Sequence, residues 1–226
     1  MKHMHHTLKA ACLVVLTLAL TSAPAAPKGD VDAALSQGGL QKTKVKDIAL
    51  AYVRPGASLA AYKRVKLDPV EVEFRKSKDP SRAGSAIKLS SEEREKIRSN
   101  VARVVQEEFA KELQKSSTYQ VASDSGPDVL RVKPRILDLY VNAPDVGPGR
   151  TRTLVSSAGE MTLVAELSDS AGGQVLARVA DQRDASKEGR MYLVNGTVNE
   201  QEARKIAAGW ARILRRALDK AHGIGS

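Results

Sequence analysis

Apolar residues recur along this chain in two rhythms. Ile97, Val101, Val104, Val105, Phe109 and Leu113 are spaced by one, three or four and fall on one helical face. Ser90 and Glu93 precede that stripe at capping-box spacing, so a helix is expected over residues 91–115. A second stripe, Ile206, Trp210, Ile213, Leu214, Ala217 and Ala221, follows Asn199, a favoured cap. Glu200 and Glu202 in its first turn, with Arg215, Arg216 and Lys220 near its end, complement the helix dipole.

Elsewhere the period is two, as in strands. Residues 48–53 make a short strand ended by Arg54-Pro55-Gly56, and residues 64–74 make a second. Residues 119–122 and 129–142 follow the first helix. Met161, Leu163, Ala165 and Leu167 alternate into a hairpin at 169–173, with a return strand over 174–184. Parity breaks twice: Val65 and Leu67 give way to Val70, Val72 and Phe74 across Pro69, and Leu130 and Val132 give way to Leu137, Leu139 and Val141 across Pro134. One apolar face survives such a flip only if an extra residue is accommodated, so irregularities or edge positions are expected at both prolines. The layout is α+β: one domain, a mostly antiparallel sheet of about five or six strands, and two long helices packed on one face. Residues 76–90, 143–158 and 186–198 are expected loops.

The first 25 residues have the parts of a cleavable export signal: Lys2 and Lys9, an apolar run from Ala10 to Leu20, and small residues up to a cut between Ala25 and Ala26. That run is about half of the roughly 20 residues a spanning helix needs, so no transmembrane segment is expected after cleavage. Lys9 stands where a lipid-attachment motif wants leucine, and Cys12 begins the apolar run instead of ending it, so lipoprotein anchoring is not expected. Residues 26–46 read as a flexible linker, 47–222 as the folded domain and 223–226 as a disordered tail. The expected location is the periplasm.

Export changes the chemistry that remains. Cys12, the single cysteine, and His3, His5 and His6 leave with the leader, and His222 stays. Neither thiol chemistry, a histidine-based triad nor a zinc site is expected, and no cofactor. Ser85 and Lys88 match a Ser-x-x-Lys spacing but lie in a polar loop without the companion Lys-Thr-Gly element. Asp68, Glu71, Glu73, Asp138, Glu166, Asp181 and Asp184 lie on or beside expected strands, where carboxylates commonly face solvent. The net charge, +10 for the full sequence and lower by two without Lys2 and Lys9, points to anionic partners, while 4% aromatic residues leave few stacking platforms for nucleic acid. Arg204, Lys205, Arg212, Arg215 and Arg216 project from the last helix away from the Trp210 stripe, and with Arg150 and Arg152 form a candidate anion-binding surface.

Several stretches carry a resemblance. Tyr52-Val53-Arg54-Pro55-Gly56-Ala57, Leu59, Tyr62, Val65 and Asp68-Pro69-Val70 resemble the N-terminal signature of the bacterial domain-of-unknown-function family DUF3313. Val129-Leu130-Arg131-Val132, Ala165-Glu166-Leu167-Ser168-Asp169 with Gly173, Asp181-Gln182-Arg183 and Trp210-Ala211 continue the match. The resemblance implies an exported envelope protein without an established activity. The function expected from these readings is a non-enzymatic periplasmic module binding an envelope protein or an anionic lipid or glycan. The alternative is a carboxylate-dependent hydrolase of envelope glycans, using two of Asp68, Glu71, Asp138, Asp181 and Asp184.

Overall fold

The computed structural model describes residues 29–75, 90–141, 153–155, 157–186, 192–194 and 196–224. In chain order these form α1 (Gly29–Leu35), β1 (Gln41–Thr43), β2 (Leu50–Val53), β3 (Arg64–Leu67), β4 (Glu71–Phe74), α2 (Ser91–Leu113) and β5 (Gln120–Ala122). There follow β6 (Val129–Val141), β7 (Thr153–Val155), β8 (Ser157–Asp169), β9 (Val175–Ser186), β10 (Tyr192–Val194) and α3 (Gly196–Ala221). Eight strands make one sheet in the order β1-β2-β9-β8-β6-β3-β5, with β4 also paired to β6, and β10 and β7 form a separate ribbon.

The sheet is mixed and larger than expected. β3 runs parallel to β5 and β6, and β4 runs parallel to β6, whereas β6, β8, β9, β2 and β1 pair antiparallel. A parallel pairing needs a long crossover, and α2, lying between β4 and β5 in sequence, is that crossover. Strand, helix, strand in succession is the signature, and alternation alone does not reveal strand direction.

Both parity breaks are real, and one moves. Leu67 pairs with Val132 and Glu71 with Arg135, so four steps on one strand oppose three on the other, and Pro69 occupies the extra position. Pro134 itself stays in register opposite Ala165, and the second irregularity falls later, between Leu137 and Tyr140, where Asp138 adopts φ 52°. The amide of Asp68 donates to the Val132 carbonyl at 2.9 Å, so even-numbered residues of β6 turn their backbone groups toward β3 and β4. The hydrogen that Pro134 lacks would therefore point at the Pro69 interruption, where no ladder acceptor waits.

Capping holds the start of α2: Glu93 N donates to Ser90 Oγ at 3.2 Å and Ser90 N donates to Glu93 Oε2 at 2.7 Å. α3 begins at Gly196, three residues before the expected cap, so Asn199 lies inside the helix. It ends in a Schellman arrangement: Gly223 has φ 77°, and Ile224 N reaches back to the Asp219 carbonyl at 2.8 Å. The two helices lie side by side on one face of the sheet, over a core that includes Val105, Phe109, Ile136, Leu163, Ala165 and Trp210. Because α3 packs against both sheet and α2, its most buried positions are Ala207, Trp210, Ala211 and Leu218, a stripe rotated from the expected one, and Ala217 is exposed.

The segment read as a linker is folded over much of its length. α1 lies on the opposite face of the sheet, where Leu35 and Leu40 pack with Leu50, Tyr52 and Ala180. Tyr52 Oη donates to Asp32 Oδ1 at 2.8 Å, fixing the helix over β2. With so few apolar residues in it, this stretch has no periodicity of its own, and the sheet supplies the partner surface. No helix among the described residues is long and apolar enough to cross a membrane.

Candidate functional site

Of the seven basic positions singled out, Arg150 and Arg152 lie outside the described residues, as do Ala25, Ala26, Ser85 and Lys88. The rest are engaged mainly with acids of the same molecule. Arg204 donates to Glu107 at 2.8 Å, Glu200 at 2.9 Å and Glu108 at 3.1 Å. Arg103 on α2 reaches Glu107 at 2.8 Å and Glu200 at 3.2 Å, which closes a ring of two arginines and two glutamates across the helix pair. Hydrogen bonds from Arg103 and Arg204 hold the Glu107 carboxyl below the usual glutamate range, and those from Arg204 and Arg103 do the same to Glu200. Arg215 donates to Glu112 at 3.3 Å and Asp219 at 2.8 Å, Lys205 to Glu202 at 2.8 Å, and Arg216 reaches Asp47 at 3.4 Å. Arg212 is exposed and makes no ion pair among the described residues. The charges of α3 therefore mostly fasten it to α2 and to the β1–β2 connection.

The carboxylates do not converge. Asp68 accepts from Arg131 at 2.8 Å, Glu73 from Arg135 at 2.5 Å and Glu166 from Arg178 at 2.8 Å, all on the sheet face away from α2 and α3. Glu71 pairs with Arg135 at 3.0 Å on that face. Asp184 accepts from Ser157 Oγ at 2.5 Å, and Asp138 sits exposed at the β6 irregularity. Asp181 alone is on the helix side, fully buried, accepting from Trp210 Nε1 at 2.8 Å, Arg183 Nε at 2.8 Å and Ala49 N at 3.0 Å. Alternation sends Asp181 and the Asp68–Glu71 group to opposite faces, and Asp68 and Glu71 are taken up by Arg131 and by Lys133 and Arg135, so the arrangement does not support the expected acid and base of a glycan hydrolase. Among the described residues no group of three or more metal-ligating side chains is assembled.

What the fold does assemble is a cavity of about 440 Å³ between the N-terminal halves of α2 and α3 and the ends of β6, β8 and β9. Ile97, Val101 and Val104 face it from α2, Leu139 and Met161 from the sheet, and Ile206 from α3. Ala158, Gly159, Ala185 and Ala203 contribute only small residues to its lining. Gly159 cannot be larger: φ is 155°, and a Cβ there would collide with the Tyr140 carbonyl oxygen. Lys96, Asn100, Arg103, Asn199 and Glu200 add polar groups to this mainly carbon wall. Asn199 Oδ1 is buried and has no hydrogen-bond partner among the described residues. An apolar interior with a few polar groups is how proteins hold amphiphilic small molecules.

A family model described as a protein of unknown function, DUF3313, matches residues 32–214. The chain belongs to the DUF3313 family. None of the curated proteins matches it. Among solved structures, this DUF3313 chain is similar to the PelC dodecamer from Paraburkholderia phytofirmans, with 11% identity and a TM-score of 0.39, covering 78% of this chain and 98% of that one. It is similar also to protein XCC0632 from Xanthomonas campestris, with 8% identity and a TM-score of 0.40, covering 70% and 88%. A putative lipoprotein from Caulobacter crescentus shows 13% identity and a TM-score of 0.31, covering 72% and 90%.

The apolar cavity wall of this DUF3313 chain was visible in the sequence only as core stripe. The available signal was negative: one turn before Ile206 the α3 stripe holds Ala203, and before that Asn199, where a filled interface would carry larger apolar residues.

Proposed function

We infer that this DUF3313 chain is a non-enzymatic binding module of the bacterial envelope, and that its ligand is an anionic amphiphile whose alkyl chain enters the cavity between α2 and α3. The observation that carries this reading is the 440 Å³ space with its apolar wall. The orphaned Asn199 Oδ1 and the exposed Lys96 offer a hydrogen-bond partner and a cation to a polar head. The net charge, +10 for the full sequence and lower by two once Lys2 and Lys9 leave with the leader, favours an anionic one. The leader expected over residues 1–25 supports a periplasmic setting, where acyl-bearing anionic lipids are at hand. The binding site shifts from the outer surface of α3, where most cations are already paired, to the space beneath its first turns.

The test is binding of the naphthylamine dye N-phenylnaphthylamine and its displacement by dodecanoate. The native protein is expected to enhance dye fluorescence and to lose the enhancement as dodecanoate is added. Ala203→Leu should abolish both while raising stability by about 1 kcal/mol, because it fills the cavity. Unchanged dye binding in that variant would overturn the assignment.

A further inference from the structure

We propose that Trp210 is the stop that sets how long an alkyl chain the cavity accepts, an inference that rests on the amphiphile reading above. A second cavity, of about 160 Å³, lies beneath the C-terminal half of α3. On α3 the first cavity is bounded by residues up to Ile206 and the second by residues from Trp210 onward. On β8 the first ends at Met161 and the second begins at Leu163, and on α2 the order is Val104, then Phe109. Every bounding element passes from one space to the other in the same direction, so the two lie end to end. They are separated by one helical turn of α3, about 6 Å.

Trp210 is the first α3 residue on the lining of the second cavity, one turn past Ile206 at the end of the first, and is 2% exposed. Its indole is held at the nitrogen by the fully buried Asp181 carboxylate at 2.8 Å, and the Arg183 guanidinium lies 5.9 Å from the ring centre. Asp181 is itself fixed by Arg183 Nε and the Ala49 amide. A ring tied at its polar edge cannot swing aside without breaking its hydrogen bond to a buried carboxylate and leaving the indole N–H unpartnered against carbon, so it acts as a rigid wall. Beyond it, the second cavity is walled by carbon, with Ile213, Leu214, Leu59 and Val179 among its lining. An apolar space of this size can accept hydrocarbon. A chain whose tip reaches Trp210 gains nothing from further methylenes unless the indole is removed.

The experiment measures dissociation constants of straight-chain carboxylates from hexanoate to octadecanoate by dye displacement. For the native protein, affinity should rise about fourfold per methylene, the equivalent of about 0.8 kcal/mol, then break and stay flat. Trp210→Leu should move the break to longer chains without altering the slope before it. Ala177→Leu, which narrows only the second cavity, should leave the native break where it is and bring the break of Trp210→Leu back toward shorter chains. An unbroken rise to octadecanoate, a break unmoved by Trp210→Leu, or a native break shortened by Ala177→Leu would overturn the proposal while leaving the amphiphile reading standing. Absence of binding by every carboxylate would overturn both. If Trp210→Leu fails to fold, the native series and Ala177→Leu still decide.

Discussion

The middle and the N-terminal end of the α3 interface are built from the same elements, yet they leave unequal space, about 160 Å³ against about 440 Å³. Around Trp210 the side chains are large: Phe109, Ile136 and Leu163 share one core cluster with the indole, and the one polar atom of the ring is matched by Asp181. One to two turns nearer the start of α3, Ala203, Ala158, Gly159 and Ala185 line the larger space. Empty space beside a core costs contacts and stability, so the end with the larger hollow is the more weakly packed one. The centre carries stability, and the end gives some of it up for room.

The largest effect is expected at the centre. Trp210→Ala should lose about 3–5 kcal/mol in urea unfolding, whereas Ile97→Ala at the cavity wall should lose about 1 kcal/mol, because contacts on one side of Ile97 are already absent. Equal losses would erase the distinction between the two regions. Next comes the cap. Since the first turns of α2 border the cavity, Ser90→Ala should cost about 1 kcal/mol and make the amides of that end exchange faster in hydrogen-exchange measurements, with the Trp210 end unaffected. The smallest effect is electrostatic. Glu107 and Glu200 are held below their ordinary range by Arg103 and Arg204, so their ring stabilises the fold fully above the usual glutamate titration. That contribution is lost as pH falls through the lowered native values. The urea midpoint should drop between about pH 5 and about pH 3, and the Glu107→Gln, Glu200→Gln double variant should show a shallower drop. Partial exposure of the ring keeps this effect small.

Much of the fold was legible in local pattern. The capping box at Ser90 and Glu93, the α2 stripe, the 169–173 hairpin and the bulge at Pro69 each rest on interactions within a few residues or on the parity of one strand, and each is present. Strand direction was not legible, because alternation is the same for parallel and antiparallel neighbours and only the placement of the α2 crossover decides between them. Apolar residues over 26–46 are too sparse to signal alone, which is why a flexible linker is expected there, and β2 and β9 give residues 29–43 a surface to cover.

The site divides along the same line. Residue type and spacing established two amphipathic helices, the basic character of α3, and the shortage of imidazole and thiol groups, because those are properties of short stretches of chain. Whether the arginines of α3 meet water or glutamates, whether Asp181 joins the other carboxylates or a buried indole, and whether a run of small residues closes up or encloses 440 Å³ depend on what the neighbouring element brings to the same place. Those outcomes belong to residues as much as 132 positions apart, as with Ala49 and Asp181, and packing in three dimensions is what sets them.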